Sequence, residues 1–238
     1  MTDGAAYAGG KAVALVSGGL DSVVSLAIAD RDMEIRLVLF CNYGQRALPR
    51  ERASVIDVAG YYGLPFCEID LTWLRDLSPP GMRGSLAGAG PGTGLEPSPG
   101  ASDGLASLED VWVANRNGVF VNAAAAFAER YGCAWVVTGF NREEAEEFPD
   151  NTPEFVEALN RSLAYSTLSG VRVVSFTQGL SKRQILAKGV EMSVPLGLIW
   201  TCYRDGNAMC GDCASCRRLK SALASLPEDR RPVIEFSQ

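Results

Sequence analysis

The sequence predicts an α/β protein: a doubly wound, parallel five-stranded sheet with helices on both faces and a small cysteine-rich appendage at its C-terminal end. Three observations carry that expectation. Short, branched, uncharged runs alternate with amphipathic stretches, a glycine turn joins the first run to the first helix, and four of the seven cysteines lie between residues 202 and 216.

Residues 12–16 (Ala-Val-Ala-Leu-Val) have the texture of a central parallel strand buried on both faces. Residues 21–30 follow with apolar side chains at helical spacing. A second strand is expected over 35–40, a second helix over 51–61 and a third strand over 66–71. Strand–helix–strand–helix at this spacing argues for right-handed crossovers. From 77 to about 108 the chain turns to Gly, Pro, Ala and Ser, which predicts a long surface loop, either an active-site lid or a solvated insertion. Order resumes with an alanine-rich helix over 117–131 and a fourth strand over 134–138 that ends at Gly139. A helix over 153–168 has Pro153 in its first turn and Asn151 or Thr152 as its cap. A fifth strand over 171–176 and a short capped helix over 181–188 lead into the cysteines. Residues 1–200 thus read as one open, Rossmann-like domain, and 201–238 as a metal-binding segment packed on it.

Composition narrows the chemistry. The formal charge of −6 leans away from a partner with a long phosphate backbone and toward small molecules. The chain has no histidine, so Ser-His-Asp triads, Cys-His pairs and histidine metal sites are excluded. Any general acid or base is Asp, Glu, Lys, Tyr, Cys, substrate or water. No run approaches the ~18 apolar residues of a membrane span, and residues 1–10 lack the basic and apolar regions of a secretory signal, so a cytoplasmic enzyme is the expectation.

The first strand runs directly into Ser17-Gly18-Gly19-Leu20-Asp21-Ser22. Glycines let phosphate oxygens approach backbone N–H groups, and the helix N-terminus adds donors and partial positive charge. Ser17 and Ser22 offer hydroxyls, and Asp21 is placed to cap the helix or to hold magnesium on the phosphates. The alternative is a plain tight turn. The motif is neither a Walker loop nor a dinucleotide turn. It resembles the pyrophosphatase loop of the adenine-nucleotide α-hydrolases. That resemblance implies cleavage of ATP between its α and β phosphates, with Val16, Ser17, Gly18, Gly19, Leu20, Asp21, Ser22 and Val23 around the nucleotide.

Cys202, Cys210, Cys213 and Cys216 form C-x7-C-x2-C-x2-C. Two overlapping knuckles and one more distant thiolate suit a closed, tetrahedral, structural zinc site, with an iron–sulfur cluster or a redox pair as the alternatives. Cys41, Cys67 and Cys133 read as small buried side chains.

Taken together, the motifs are similar to those of the 7-cyano-7-deazaguanine synthases. After the loop come Asn42-Tyr43-Gly44-Gln45-Arg46, then Arg116-Asn117, Thr138-Gly139-Phe140-Asn141, Phe148-Pro149-Asp150 and the cysteine cluster. The resemblance implies an ATP-dependent ligase that converts 7-carboxy-7-deazaguanine and ammonia to the nitrile through adenylated and amide intermediates. It implies Mg2+ at Asp21, and Lys182 neutralising phosphate charge, with a solvated first-turn lysine as the alternative. Arg116 and Asn117 are expected at the nucleotide or the acid, with helix capping as their alternative. Phe140, Asn141 and Asp150 are expected at the purine-like base. The resemblance further implies small-molecule substrates, no nucleic-acid or membrane partner, and a homodimer. Two segments depart from the family pattern: Val113-Ala114-Asn115-Arg116-Asn117 stands for Val-Pro-Gly-Arg-Asn, and Phe148-Pro149-Asp150-Asn151-Thr152 for Tyr-Pro-Asp-Cys-Arg. They keep open a paralogue that passes the activated acid to another amine. A tRNA-modifying enzyme of the same superfamily and a non-enzymatic zinc module are the remaining alternatives.

Overall fold

The computed structural model describes residues 7–84 and 110–237. Five parallel strands, β1 (Lys11–Leu15), β2 (Glu34–Asn42), β3 (Phe66–Asp70), β4 (Trp135–Thr138) and β5 (Arg172–Ser175), lie in the order β3-β2-β1-β4-β5. The longer helices are α1 (Leu20–Asp32), α2 (Leu48–Tyr62), α4 (Arg116–Arg130), α6 (Pro153–Ser166), α7 (Lys182–Glu191) and α8 (Ala214–Ala224). Two single-turn helices, α3 (Leu74–Leu77) and α5 (Arg142–Ala145), complete the set.

Strand alternation sorts the core into two layers. Ala12, Ala14, Val38, Phe40 and Val137 face Val23, Val55, Ile185 and Leu219 from α1, α2, α7 and α8. Val13, Leu37, Leu39, Val136 and Val173 face Val121, Ala124, Leu159 and Leu163 from α4 and α6. Both sheet faces are covered, which is why the strands read as apolar runs rather than as alternating ones. Each fully buried Leu, Val or Phe contributes roughly 1.5–3 kcal/mol. Cys202, Cys213 and Cys216 belong to the same core layer as α1 and α7, so the cysteine segment shares the main core.

The strand order places the functional region. From β1 the chain steps outward through β2 to β3, then returns across the sheet to β4 beside β1. The crevice at the carboxyl ends of β1 and β4 is therefore the topological switch point, where open α/β sheets hold ligands.

All five expected strands form, with ends shifted by a residue or two. α2 begins at Leu48, three residues early, because Pro49 is accommodated in its first turn, where no N–H partner is needed. α7 runs on to Glu191, and Ser181 is its N-cap in a reciprocal capping box with Gln184. Thr152 caps α6, accepting from the Phe155 N–H at 3.1 Å. The expected surface loop needs correction at its start. Leu77 closes α3, Pro80–Met82 forms a 3-10 turn, and Met82 is buried while its carbonyl accepts from Arg46 N at 2.8 Å. Arg83 ties this turn down by donating to the Ser78 carbonyl at 2.8 Å. The rest of that expected loop lies outside the described residues.

Candidate active site and metal centre

Between β1 and α1 the chain closes on itself. Ser22 Oγ accepts from Ser17 N at 3.2 Å and donates to the Gly19 carbonyl at 3.1 Å. Gly18 has φ +80°, and a Cβ there would stand 2.7 Å from Ser54 Oγ on α2. Only glycine fits that turn. The Gly18 carbonyl is held from behind by Ser54 Oγ at 3.1 Å and by Trp200 N at 2.8 Å. Gly139, at the end of β4, presses against the first turn of α1, where a Cβ would meet Ser22 N at 2.6 Å. The N-cap of α1 is Gly19, with no side-chain cap, so the helix N-terminus keeps uncapped N–H donors beside the cavity. Asp21 therefore does not cap the helix; its side chain turns to Lys182.

A cavity of about 250 Å³ opens at the carboxyl ends of β1, β2 and β4. Val16, Ser17, Gly19, Leu20, Asp21 and Ser22 line it. Gly18 faces α2 instead, and Val23 is fully buried in the core. Lys182 also lines the cavity and is only 6% exposed, so it is not a solvated first-turn lysine. Its ammonium pairs with Asp21 and lies 3.0 Å from Glu144 Oε1. Burial works against that charge, but the two carboxylates outweigh it and raise the Lys182 pKa. Burial pushes Asp21 up to about 6, with the lysine offsetting only part of the shift. Asp21 Oδ1 is buried without a hydrogen-bond partner among the described residues.

Arg116 and Asn117 open α4 at the opposite wall, and both line the cavity. Neither is the cap: Asn115 holds that position with φ 56°. The Arg116 guanidinium donates to Tyr43 Oη at 3.2 Å and sits 5.4 Å from the Tyr43 ring centroid. Asn117 Nδ2 donates to the Asp150 carbonyl at 3.2 Å.

The three residues expected at the base separate. Phe140 lines the cavity and meets Phe155 edge-on at 6.1 Å. Asn141 is fully buried and caps α5, accepting from Glu144 N at 3.0 Å, away from the cavity lining. Asp150 is also buried outside that lining, in the Pro149–Asn151 turn, where Oδ1 accepts from Asn151 Nδ2 at 3.1 Å. Burial raises its pKa against the pull of Arg116.

Sequence reasoning missed Glu51, Glu144, Trp200 and Tyr203, which all line the cavity. Glu51 hides in the charged Arg50-Glu51-Arg52 run of α2, which reads as an exposed helix face. Glu144 had a usable signal: Asn141 followed three residues later by Glu144 marks a helix start, and so fixes which way the acidic segment faces. Trp200 and Tyr203 flank the first ligand-type cysteine, and proximity to that motif was their signal.

The sulfurs of Cys202, Cys210, Cys213 and Cys216 all lie within 4.8 Å of one another, and those of Cys210 and Cys216 are 3.8 Å apart. Backbone N–H groups point at them: Arg204 N at Cys202 (3.4 Å), Cys213 N at Cys210 (3.4 Å) and Cys216 N at Cys213 (3.5 Å). This set could hold a metal ion. Of the other cysteines, Cys41 and Cys133 are buried, whereas Cys67 is partly exposed. Burial pushes the Cys41 thiol up to about 12, so it is inert at neutral pH. No helix among the described residues is long and apolar enough to cross a membrane.

Residues 11–226 match the family model described as "Queuosine biosynthesis protein QueC". A 7-cyano-7-deazaguanine synthase from Desulforudis audaxviator is 46% identical over 215 residues, covering 90% of this chain and 97% of that one. One from Carboxydothermus hydrogenoformans is 47% identical, covering 89% and 97%. Among solved structures, the U34-tRNA thiolase NcsA from Methanococcus maripaludis, solved with its [4Fe-4S] cluster, superposes with a TM-score of 0.50 at 11% identity, covering 91% of this chain and 64% of that one. At that identity the likeness concerns the fold.

Proposed function

The chain belongs to the QueC family of queuosine biosynthesis proteins, and from that premise we propose that it is an ATP-dependent ligase forming 7-cyano-7-deazaguanine from 7-carboxy-7-deazaguanine and ammonia. The observation that carries this reading is the shared name of relatives matched over nearly their whole length. The uncapped glycine loop beside Lys182 and Arg116 supports it chemically.

A carboxylate resists attack by ammonia until one oxygen becomes a leaving group. ATP adenylates that oxygen and releases pyrophosphate; ammonia displaces AMP to give the amide. A second adenylation, on the amide oxygen, and loss of AMP give the nitrile. In this reading the Ser17–Ser22 loop receives the phosphates through its main-chain donors, and Lys182 stabilises charge on them. Arg116 and Asn117 orient the acid, and Phe140 offers an apolar wall to the flat base. Asn141 and Asp150 act from behind the lining, by positioning α5 and Asn117.

Asp21 suits magnesium because a buried carboxylate oxygen is left without a protein partner there. The ion would neutralise phosphate charge during transfer. The cysteine set suits zinc. Four ligands about 2.3 Å from one ion form a tetrahedron with edges of about 3.8 Å, the separation found between Cys210 and Cys216. A four-iron cube would hold its cysteine sulfurs farther apart. With every position taken by sulfur, the ion is structural, and residues 201–238 form a zinc segment on the ATP-binding domain of residues 1–200.

The test is to incubate purified protein with Mg-ATP, ammonium and 7-carboxy-7-deazaguanine and to follow products by mass spectrometry. The expected outcome is a nitrile product with AMP and pyrophosphate. An accumulated adenylate or amide with no nitrile would assign the chain to a diverged acid-activating enzyme instead.

A further inference from the structure

The first turn of α2 places a carboxylate in the cavity that the chemistry above does not use. Glu51 lines the cavity, and its Oε2 accepts from Gln45 Nε2 at 2.8 Å. Gln45 is itself fixed, donating to the Cys41 carbonyl at 3.2 Å and accepting from Tyr43 N at 3.0 Å. The end of β2 therefore sets the orientation of the carboxylate. No hydrogen bond from a described residue reaches its other oxygen, Oε1. The Glu51 carbonyl lies 3.1 Å from where a Gly18 Cβ would stand, so this turn of α2 abuts the phosphate loop directly.

The other carboxylates lining the cavity, Asp21 and Glu144, share the Lys182 ammonium. Arg116 on α4 feels Glu51 electrostatically but spends a hydrogen bond on Tyr43. Tyr43 and Cys41, the titratable groups at the end of β2, are both pushed up to about 12 by burial and are neutral. Among the described residues lining the cavity, Glu51 is thus the carboxylate with no cation in contact.

Resting on the proposed reaction, we infer that the Glu51 carboxylate is the ammonium-binding site of this cavity and the base that turns bound ammonium into ammonia. Ammonium is the abundant form of the co-substrate near neutral pH, but only ammonia has the lone pair to attack. A carboxylate and an ammonium brought together out of water favour proton transfer, because the neutral pair costs less to bury. Burial pushes Glu51 up to about 7, which suits a proton acceptor working near neutrality. The chain has no histidine to do this instead. One proton passes from ammonium to Glu51. The nitrogen lone pair then bonds to the acyl carbon, the carbon–oxygen bond to AMP breaks, and AMP keeps the electron pair. The further proton shed as the amide forms leaves to water.

Glu51→Gln keeps the volume and a hydrogen bond to Gln45 while removing the base. The expected result is pyrophosphate exchange into ATP, dependent on the deazapurine acid, within about twofold of wild type, together with ammonium-dependent product formation reduced ~100-fold or more. Hydroxylamine, already neutral at the assay pH, should restore acyl transfer in the variant. Three results would overturn the inference: unchanged ammonium-dependent turnover, parallel loss of exchange and turnover, or a hydroxylamine rate as depressed as the ammonium rate. A thermal melt of the variant separates misfolding from parallel loss, and if it fails to fold, Glu51→Asp with a displaced carboxylate takes its place. Absence of acid-dependent exchange in the wild-type protein would instead overturn the proposed function, and this inference with it.

Discussion

The two walls of the cavity are built on different principles. On one side, the glycine loop between β1 and α1 offers main-chain groups and the Ser17 and Ser22 hydroxyls, braced by Ser54 and Trp200. Around the rest of the cavity, Tyr43, Gln45, Glu51, Arg116, Glu144 and Lys182 come from four separate stretches of chain and bring polar and charged groups. The first wall is a shape that tolerates no Cβ at Gly18. The second is a charge balance in which Lys182 holds Asp21 and Glu144 together, while Glu51 stands with no cation in contact among the described residues. The difference teaches that a ligand pocket can be rigid by steric exclusion on one side and by electrostatic compensation on the other, with separate weaknesses.

The sharpest way to break this comparison is Lys182→Ala. It leaves Asp21 and Glu144 facing each other without their shared cation, and breaking a buried pair costs roughly 3–5 kcal/mol. Urea unfolding at pH 7.5 should show a loss of that size, and a loss under about 1 kcal/mol would mean that charge balance does not hold this wall.

Next in size, and opposite in sign, is Glu51→Gln. The Glu51 pKa is raised from 4.5 to about 7, so the folded protein binds more protons than the unfolded chain between those values. Stability contributed by this group is present below pH 4.5 and is lost as pH rises through about 7. The variant should therefore be more stable than wild type at pH 8, by roughly 3 kcal/mol at most, and indistinguishable from it near pH 4.5. Melting curves at the two pH values test this directly. A carboxylate retained at such a cost to stability is what a functional site looks like.

The smallest of the three tests the steric wall. Gly18→Ala puts a methyl group into a left-handed turn against Ser54 Oγ and should cost roughly 1–3 kcal/mol. Nucleotide affinity, read by calorimetry, should fall further than stability does, because the displaced loop carries the donors.

How much of this was legible in the sequence follows the same division. The strands could be read because burial on both faces leaves local apolar runs, as at residues 12–16 and 134–138. The glycine loop and the four cysteines are contiguous or nearly so, and spacing alone exposes them. The charged wall is not contiguous. Lys182 meets partners 161 and 38 residues away, and nothing near Lys182 in the chain announces either of them. Asn141 and Asp150 look like ligands of a base, but neither lines the cavity: Asn141 Oδ1 caps α5 while its buried Nδ2 has no hydrogen-bond partner among the described residues, and Asp150 Oδ1 accepts within its own turn. Residues 78–84 read as loop because Gly and Pro dominate them, while Met82, their buried anchor, is a single apolar residue too sparse to register as a pattern.

The hydrogen bond from Trp200 N to the Gly18 carbonyl has a consequence for how the molecule comes into being. A ribosome makes the glycine loop well before its brace, which stands far along the chain, two residues before Cys202 of the cysteine cluster. During synthesis the sheet has its first strands long before the loop has its rear support. The nascent chain therefore passes through a long interval with a recognisable glycine turn and no finished pocket. The cavity beside the loop is finished only once Trp200 has docked behind it.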